Sequence, residues 1–227
     1  MSLEAFQRIM TSENVHFMLR SASYSVIIAI CALVGGSVLG LLSASMKMSK
    51  HGVLRGIANV YVEIIRGTPM LLQIMLLFLG GPVITKSLFK FVFTPNPYVI
   101  GAVAVAINSG AYSTELFRSA IQSVDKGQWE AARTIGLNHW QTMKEIILPQ
   151  AFKRILPPYI NEFIVLLKDS SLLSSIGAVE LLQSARVIGA DNYNSLVPLL
   201  CATGMYLVMT LTISFFARKL ERRLAES

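Results

Sequence analysis

The sequence predicts an all-α membrane protein with five transmembrane helices, and three observations carry that prediction. With 53% hydrophobic residues and a mean hydropathy of +0.57, the chain is too apolar for a typical soluble domain, and at 227 residues it is too long for one membrane hairpin. Apolar stretches of spanning length occur at 24–45, 56–80, 98–117, 155–173 and 195–217; about 20 helical residues are needed to cross the hydrocarbon core. The basic residues fall mostly between those stretches. Lys47, Lys50, Arg55, Arg118, Lys126, Arg133, Lys144, Lys153, Arg154, Arg218, Lys219, Arg222 and Arg223 share one side of a five-span topology. Arg8, Arg20, Lys86, Lys90, Lys168 and Arg186 share the other. Thirteen against six predicts an N-terminus outside and a C-terminus inside. The whole chain, 1–227, reads as a single membrane domain.

Taken in order, residues 3–18 place Leu3, Phe6, Ile9, Met10, Phe17 and Met18 on roughly one helical side, so the segment 1–20 is expected to lie on the membrane as an interfacial helix. No basic n-region or small-residue cleavage site precedes the first span, and the N-terminus is expected to be retained. The first span carries Gly35, Gly36 and Gly40, which let neighbouring helices approach closely. The second contains Glu63 and Arg66 and is interrupted by Gly67-Thr68-Pro69, followed by a loop with Pro82, Lys86, Lys90, Pro95 and Pro97. The third holds Asn108, Tyr112 and Glu115. Segment 174–194 reads as a short surface helix and loop, and the last span ends in a basic tail at 218–223.

Between the third and fourth spans lies a polar, amphipathic insert, 128–149, that interrupts an otherwise apolar pattern. Within it Glu130-Ala131-Ala132 precedes Gly136, then Ile146, Leu148 and Pro149. Ala131 and Ala132 are strong helix formers, Glu130 suits a first turn, and Gly136 permits a bend. Two short helices joined at a corner are expected, with Trp140, Met143, Ile146 and Ile147 laid against the membrane bundle.

A net charge of +7 does not point to nucleic acid, because no basic face with interleaved aromatics occurs. Cys31 and Cys201 sit inside apolar spans, and His16, His51 and His139 are isolated, so no metal constellation is expected. No Gly-rich loop ending in Gly-Lys-Ser/Thr and no nucleophile with a base is found, so the chain reads as neither an ATPase nor an enzyme, and no cofactor is expected.

The break at Gly67-Thr68-Pro69 suits a helix start, with Thr68 as cap and Pro69 at the first helical position. A half-helix beginning there directs its free backbone N–H groups towards a substrate carboxylate held near Thr68, Pro69 and Met70; a proline kink relieved by packing is the alternative. Glu63, Arg66, Glu115, Lys168 and Asp169 each cost about 2.5 to 3.5 kcal/mol at a bilayer centre, so they should face the interior or a cavity. Glu63 and Arg66 are spaced to pair on one helix face, and so are Glu115 and Arg118. Asp169, helped by Ser170, is the candidate for a substrate ammonium group, with an interfacial role as the alternative.

The elbow, together with Arg66-Gly67-Thr68-Pro69 and Leu71, Leu72 and Gln73, Ala111-Tyr112 with Glu115 and Arg118, Gly127-Gln128, and Lys168-Asp169-Ser170-Ser171-Leu172, resembles the permease subunits of polar amino-acid ABC importers. The likeness covers about 24–223, and Ser170 stands where Thr is more usual. It implies a type I ABC importer permease fold in a bacterial cytoplasmic (inner) membrane. It also implies two permease subunits, identical or homologous, two ABC ATPase subunits and an extracytoplasmic solute-binding protein. ATPase coupling is then expected from Glu130, Ala131, Ala132, Gly136, Ile146, Leu148 and Pro149, and substrate contacts from Thr68, Pro69, Met70, Asn108, Tyr112, Glu115, Asp169 and Ser170. A stand-alone secondary carrier or channel is the competing class. It is disfavoured by the large elbow and by five spans without an inverted repeat.

Overall fold

The computed structural model describes residues 3–91 and 94–225, and every element of regular structure among them is helical. The first is α1, Leu3–Ile9, and it is short because Thr11 starts a new helix: its side chain accepts from Asn14 N at 3.3 Å. The interfacial helix expected over 3–18 is therefore divided. Residues from Ser12 onward belong to α2, Ser12–Lys47, which at 36 residues is about 54 Å long.

The chain then returns through α3, Gly52–Arg66, breaks, and restarts as α4, Met70–Met75. A π-helical turn, Leu76–Gly80, joins α4 directly to α5, Gly81–Phe89. The second span was expected to end at Gly80, with Pro82 in a loop; instead Pro82 sits in the first turn of α5, where its missing N–H leaves the ladder intact. Met70–Phe89 is thus one 20-residue apolar run.

Asn96 caps α6, Pro97–Gln122, accepting from Tyr98 N at 2.9 Å, and Pro97 fills the first helical position. The elbow follows as α7, Lys126–Thr134, and α8, His139–Thr142. A second π-helical turn, Met143–Ile147, leads into α9, Leu148–Asp169. A 3-10 turn, Ser170–Ile176, precedes α10, Leu181–Asp191, and α11, Leu196–Ala225, closes the chain. The expected basic tail, 218–223, is a continuation of α11.

α6 is the central element. Its small residues meet those of α2 so closely that a Cβ on Gly40 would stand 2.5 Å from that of Ser113, and neither helix could keep its place. Ile28, Ala29 and Ala32 of α2, Ile74 of α4, Val105 of α6 and Leu166 and Leu167 of α9 form the main core. Ile9, Met18, Leu181, Ile188 and Val197 join α1 and α2 to α10 and α11 in a second core. Ala120, Val124, Ile147, Ala151 and Ile155 seat the elbow in a third.

Among the described residues, three stretches are long and apolar enough to cross a membrane by length and composition: Ser12–Lys47, Met70–Phe89 and Leu196–Arg223. α6 and α9, at 26 and 22 residues, have the length but more polar sequences. In α6 the reason is visible, since Asn108, Ser109, Ser113 and Thr114 are buried among neighbouring helices. The two ends of the bundle are distinct. The rings of Tyr24 and Tyr98 meet at a tilt with centroids 5.4 Å apart at one end, while Lys47, Glu115 and Arg118 gather at the other, beside the elbow.

Candidate functional site: a broken helix, an acidic face and an elbow

At the break, Thr68 does not cap the helix that follows. Its Oγ1 donates back to Ile64 O at 2.8 Å, and Pro69 is itself the N-cap of α4, with no side-chain hydrogen bond to the new helix. The residue that repairs the break is Gln73. Its Nε2 lies 2.8 Å from Ile65 O, 3.1 Å from Thr68 O and 2.8 Å from Thr68 Oγ1, so it engages carbonyls that the end of α3 leaves open. Its Oε1 accepts from Asn108 Nδ2 at 3.0 Å, tying the break to the middle of α6. Thr68 and Pro69 are exposed and Met70 is half-buried. Gln73 stood in the sequence as one residue of a longer match; only the geometry singles it out.

The charged residues sort differently from expectation. Arg66 does not pair with Glu63; its guanidinium lies 5.1 Å from the ring centroid of Tyr112, a cation–π contact, and Glu63 has no ion-pair partner among the described residues. Glu115 and Arg118, in contrast, do pair. Lys47 Nζ donates to Glu115 Oε1 at 2.5 Å, and Arg118 Nε and Nη2 donate to Oε2 at 2.9 and 2.7 Å. Both Glu115 oxygens are occupied, two helical turns closer to the elbow than Asn108, so this carboxylate stands apart from the Thr68 to Asn108 group.

Asp169 is the last residue of α9 and half-buried, while Lys168 beside it is exposed. Ser170 is wholly buried and its Oγ donates to Leu167 O at 2.7 Å, which commits its hydroxyl proton to the backbone rather than to Asp169. The carboxylate that sequence reasoning missed is Glu162, seven residues earlier and on the same face of α9. Its Oε1 accepts from Ser109 Oγ at 3.0 Å, which ties this face of α9 to the middle of α6. The signal was present as a two-turn spacing of carboxylates within an apolar span. Met70 and Ile74 of α4 share a core with Leu172 and Leu173, so the helix after the break packs on the turn after Asp169.

Near the Tyr98 end, Glu180 is fully buried and caps α10, accepting from Leu182 N and Gln183 N at 2.8 Å each and from the Tyr206 hydroxyl at 2.9 Å. Burial pushes its carboxyl above the ordinary range. Its bonds anchor α10 to α11.

In the elbow, Asp125 rather than Glu130 begins α7, its Oδ1 accepting from Gly127 N at 2.6 Å. Glu130 therefore lies mid-helix, not in the first turn. Gly136 turns the corner at φ +82°, with Leu137 N donating to Ala132 O at 3.0 Å, and an Asn138–Gln141 capping box starts α8. Ala132 and Ile147 are buried and Met143 and Ile146 are packed beneath them, but Trp140 is 69% exposed. The π-helical turn at Met143–Ile147 admits an extra residue and shifts the helical phase, which throws Trp140 off the face that carries Ile147. Trp129, stacked on His139 at 5.4 Å, takes the bundle-facing place. Trp140 and the 74% exposed Ile135 project outward with Ala131 and Leu148.

A membrane-embedded helical bundle with a broken helix beside its central α6 and a bent, apolar-tipped elbow at one end is the build of a transport-system membrane subunit. The chain belongs to the family of binding-protein-dependent transport system inner membrane components, whose sequence profile matches residues 36–226. It is 35% identical to the glutamine transport system permease protein of Escherichia coli K12, over 92% of this chain and 94% of that one. It is 40% identical to the L-cystine transport system permease protein of Bacillus subtilis, over 88% and 83%. Among solved structures, the crystal structure of an amino acid ABC transporter with histidines matches with a TM-score of 0.86 at 37% identity, over 93% and 95% of the two chains. The inward-facing MetNI methionine ABC transporter shares the fold, with a TM-score of 0.78 at 17% identity, over 95% and 99%.

Proposed function

We propose that this chain is the transmembrane subunit of an ATP-driven importer of a polar amino acid, and that it forms the translocation path while a separate ABC ATPase supplies the energy. The relatives named for glutamine and cystine, and the neighbour titled as an amino acid ABC transporter, support the substrate class. The observation that carries the coupling role is the elbow: a rigid corner at Gly136 presents Ile135 and Trp140 away from the bundle, as a docking knob requires. Around it we assign Glu130, Ala131, Ala132, Gly136, Ile146, Leu148 and Pro149 to ATPase coupling. The full assembly comprises two such permease subunits, two ATPase subunits and an extracytoplasmic solute-binding protein.

In this reading the chain crosses the membrane five times as one domain, with the second crossing made by α3 and α4 around the break. α1 lies at the outer surface and the elbow, 128–149, in the cytoplasm. The substrate carboxylate is held near Thr68, Pro69 and Met70, beside Asn108 and Tyr112, and its ammonium group is received by Asp169 with Glu162 behind it; Ser170 holds the turn that aims Asp169. Glu115 locks the inner ends of α2 and α6 through Lys47 and Arg118.

After replacement of Cys31 and Cys201, Ser49→Cys and Ser123→Cys are expected to react only with reagent in the cytoplasm, and Ser87→Cys only with reagent outside. Reversed labelling would put the elbow on the wrong side for an ATPase. A tagged chain co-expressed with its ATPase subunit should elute with it in detergent, and Trp140→Asp should weaken that association. Elution of the chain alone with full transport activity would support a stand-alone carrier instead.

A further inference from the structure

Where the ends of α2, α3 and α6 meet the elbow, the fold leaves a cavity of about 840 Å³ that no part of the transport cycle above employs. Four cationic side chains line it: Lys47, Arg55, Arg118 and Lys126. Glu115 offsets Lys47 and Arg118, but Arg55 and Lys126 have no carboxylate partner among the described residues. Like charges gathered around one cavity repel each other, and the nearby carboxylate of Asp125 is engaged with the backbone of α7. Such an arrangement is stable when an anion completes it.

The apolar part of the wall says which anion. Met48 and Ile121 line the same cavity, and Lys47 terminates the apolar run of α2, so the cations stand at the depth of headgroup phosphates with aliphatic surface beside them. We propose that this cavity is a binding site for the phosphate of an anionic phospholipid, seated between the helix bundle and the elbow. A free phosphate shares the headgroup chemistry but gains nothing from Met48 and Ile121. A lipid in this place contacts both the bundle and α7, and so it holds the elbow at a fixed angle to the bundle. The site rests on the topology proposed above only for which leaflet supplies the lipid.

The test uses the assembled transporter in phosphatidylcholine nanodiscs that carry a trace of photoactivatable phosphatidylglycerol, with labelled peptides identified by mass spectrometry. Labelling is expected within 47–59 and 118–129, and competed by unlabelled phosphatidylglycerol but not by added phosphatidylcholine. Arg55→Ala with Lys126→Ala should raise the competitor needed by about thirtyfold, while Arg55→Lys with Lys126→Arg, in a complex of unchanged size, should leave it near wild type. Equal competition by phosphatidylcholine, or wild-type labelling in the double alanine variant, would overturn the proposal. Displacement of the lipid by millimolar inorganic phosphate would overturn it too, in favour of a soluble anion. Because nanodiscs offer lipid to both leaflets, a wrong topology leaves the labelling intact, and only a wrong site removes it.

Discussion

Uptake by a transporter carrying Asp169→Asn is expected to fall by at least about a hundredfold, while the assembled complex continues to hydrolyse ATP. The effect is electrostatic. An α-amino acid brings an ammonium group into a space with little water, and a buried charge that loses its partner costs about 3 to 5 kcal/mol. Asp169 is half-buried at the end of α9, its neighbour Lys168 is turned outward, and no hydrogen bond or ion pair to its carboxylate is found among the described residues. Glu162 stands two turns below on the same helix face, its Oε1 held by Ser109, where a second carboxyl favours a cation by simple Coulomb attraction. Glu162→Gln should therefore lower uptake in the same direction and by less. The checking measurement is the initial rate of labelled substrate uptake against concentration, alongside phosphate release. Unchanged uptake affinity in Asp169→Asn at normal expression would leave Asp169 an interfacial or structural carboxylate.

Gly136→Val is expected to uncouple hydrolysis from uptake, or to release the ATPase, without preventing membrane insertion. A Cβ at this position meets nothing within 4 Å, so crowding is not the reason. The reason is the backbone, which sits at φ +82°, where a non-glycine residue costs roughly 1 to 2 kcal/mol and a β-branched one fares worst. Relief of that strain opens the corner and swings Ile135 and Trp140 away from their positions. Gly136→Asn, which tolerates the left-handed region, should stay close to wild type. The ratio of substrate moved to ATP hydrolysed separates the two variants. A normal ratio in Gly136→Val would remove the mechanical role of this corner.

These two residues were legible in the sequence for opposite reasons. Gly136 stood out because a glycine between two helix-forming stretches has few other uses, and the left-handed corner bears out that reading. Asp169 stood out only as a charge in an apolar span, and Glu162 was overlooked because the span was read for hydropathy rather than for which carboxylates share a face. The helical phase of the elbow failed at Trp140 because a π-helical turn has no sequence signature of its own; a periodicity of 3.6 carried through Met143–Ile147 assigns the wrong tryptophan to the bundle. The same kind of turn at Leu76–Gly80 let α4 run on through Pro82 to Phe89, past the glycine pair that suggested an end. Thr68 was misread as a cap because a threonine before a proline has two carbonyls and one helix start within reach, and here it donates backwards to Ile64. The third span was found although α6 is less apolar than the outer helices, because its polar residues face protein instead of lipid.

The account stands or falls on ATP-driven accumulation in proteoliposomes that hold this chain with its ATPase subunit and, on the opposite face, its solute-binding protein. It predicts that a labelled α-amino acid accumulates against its gradient only when ATP is on the side of the elbow and the binding protein is on the other. Accumulation or equilibration of the amino acid by the chain without ATP, or without the ATPase subunit, would contradict it.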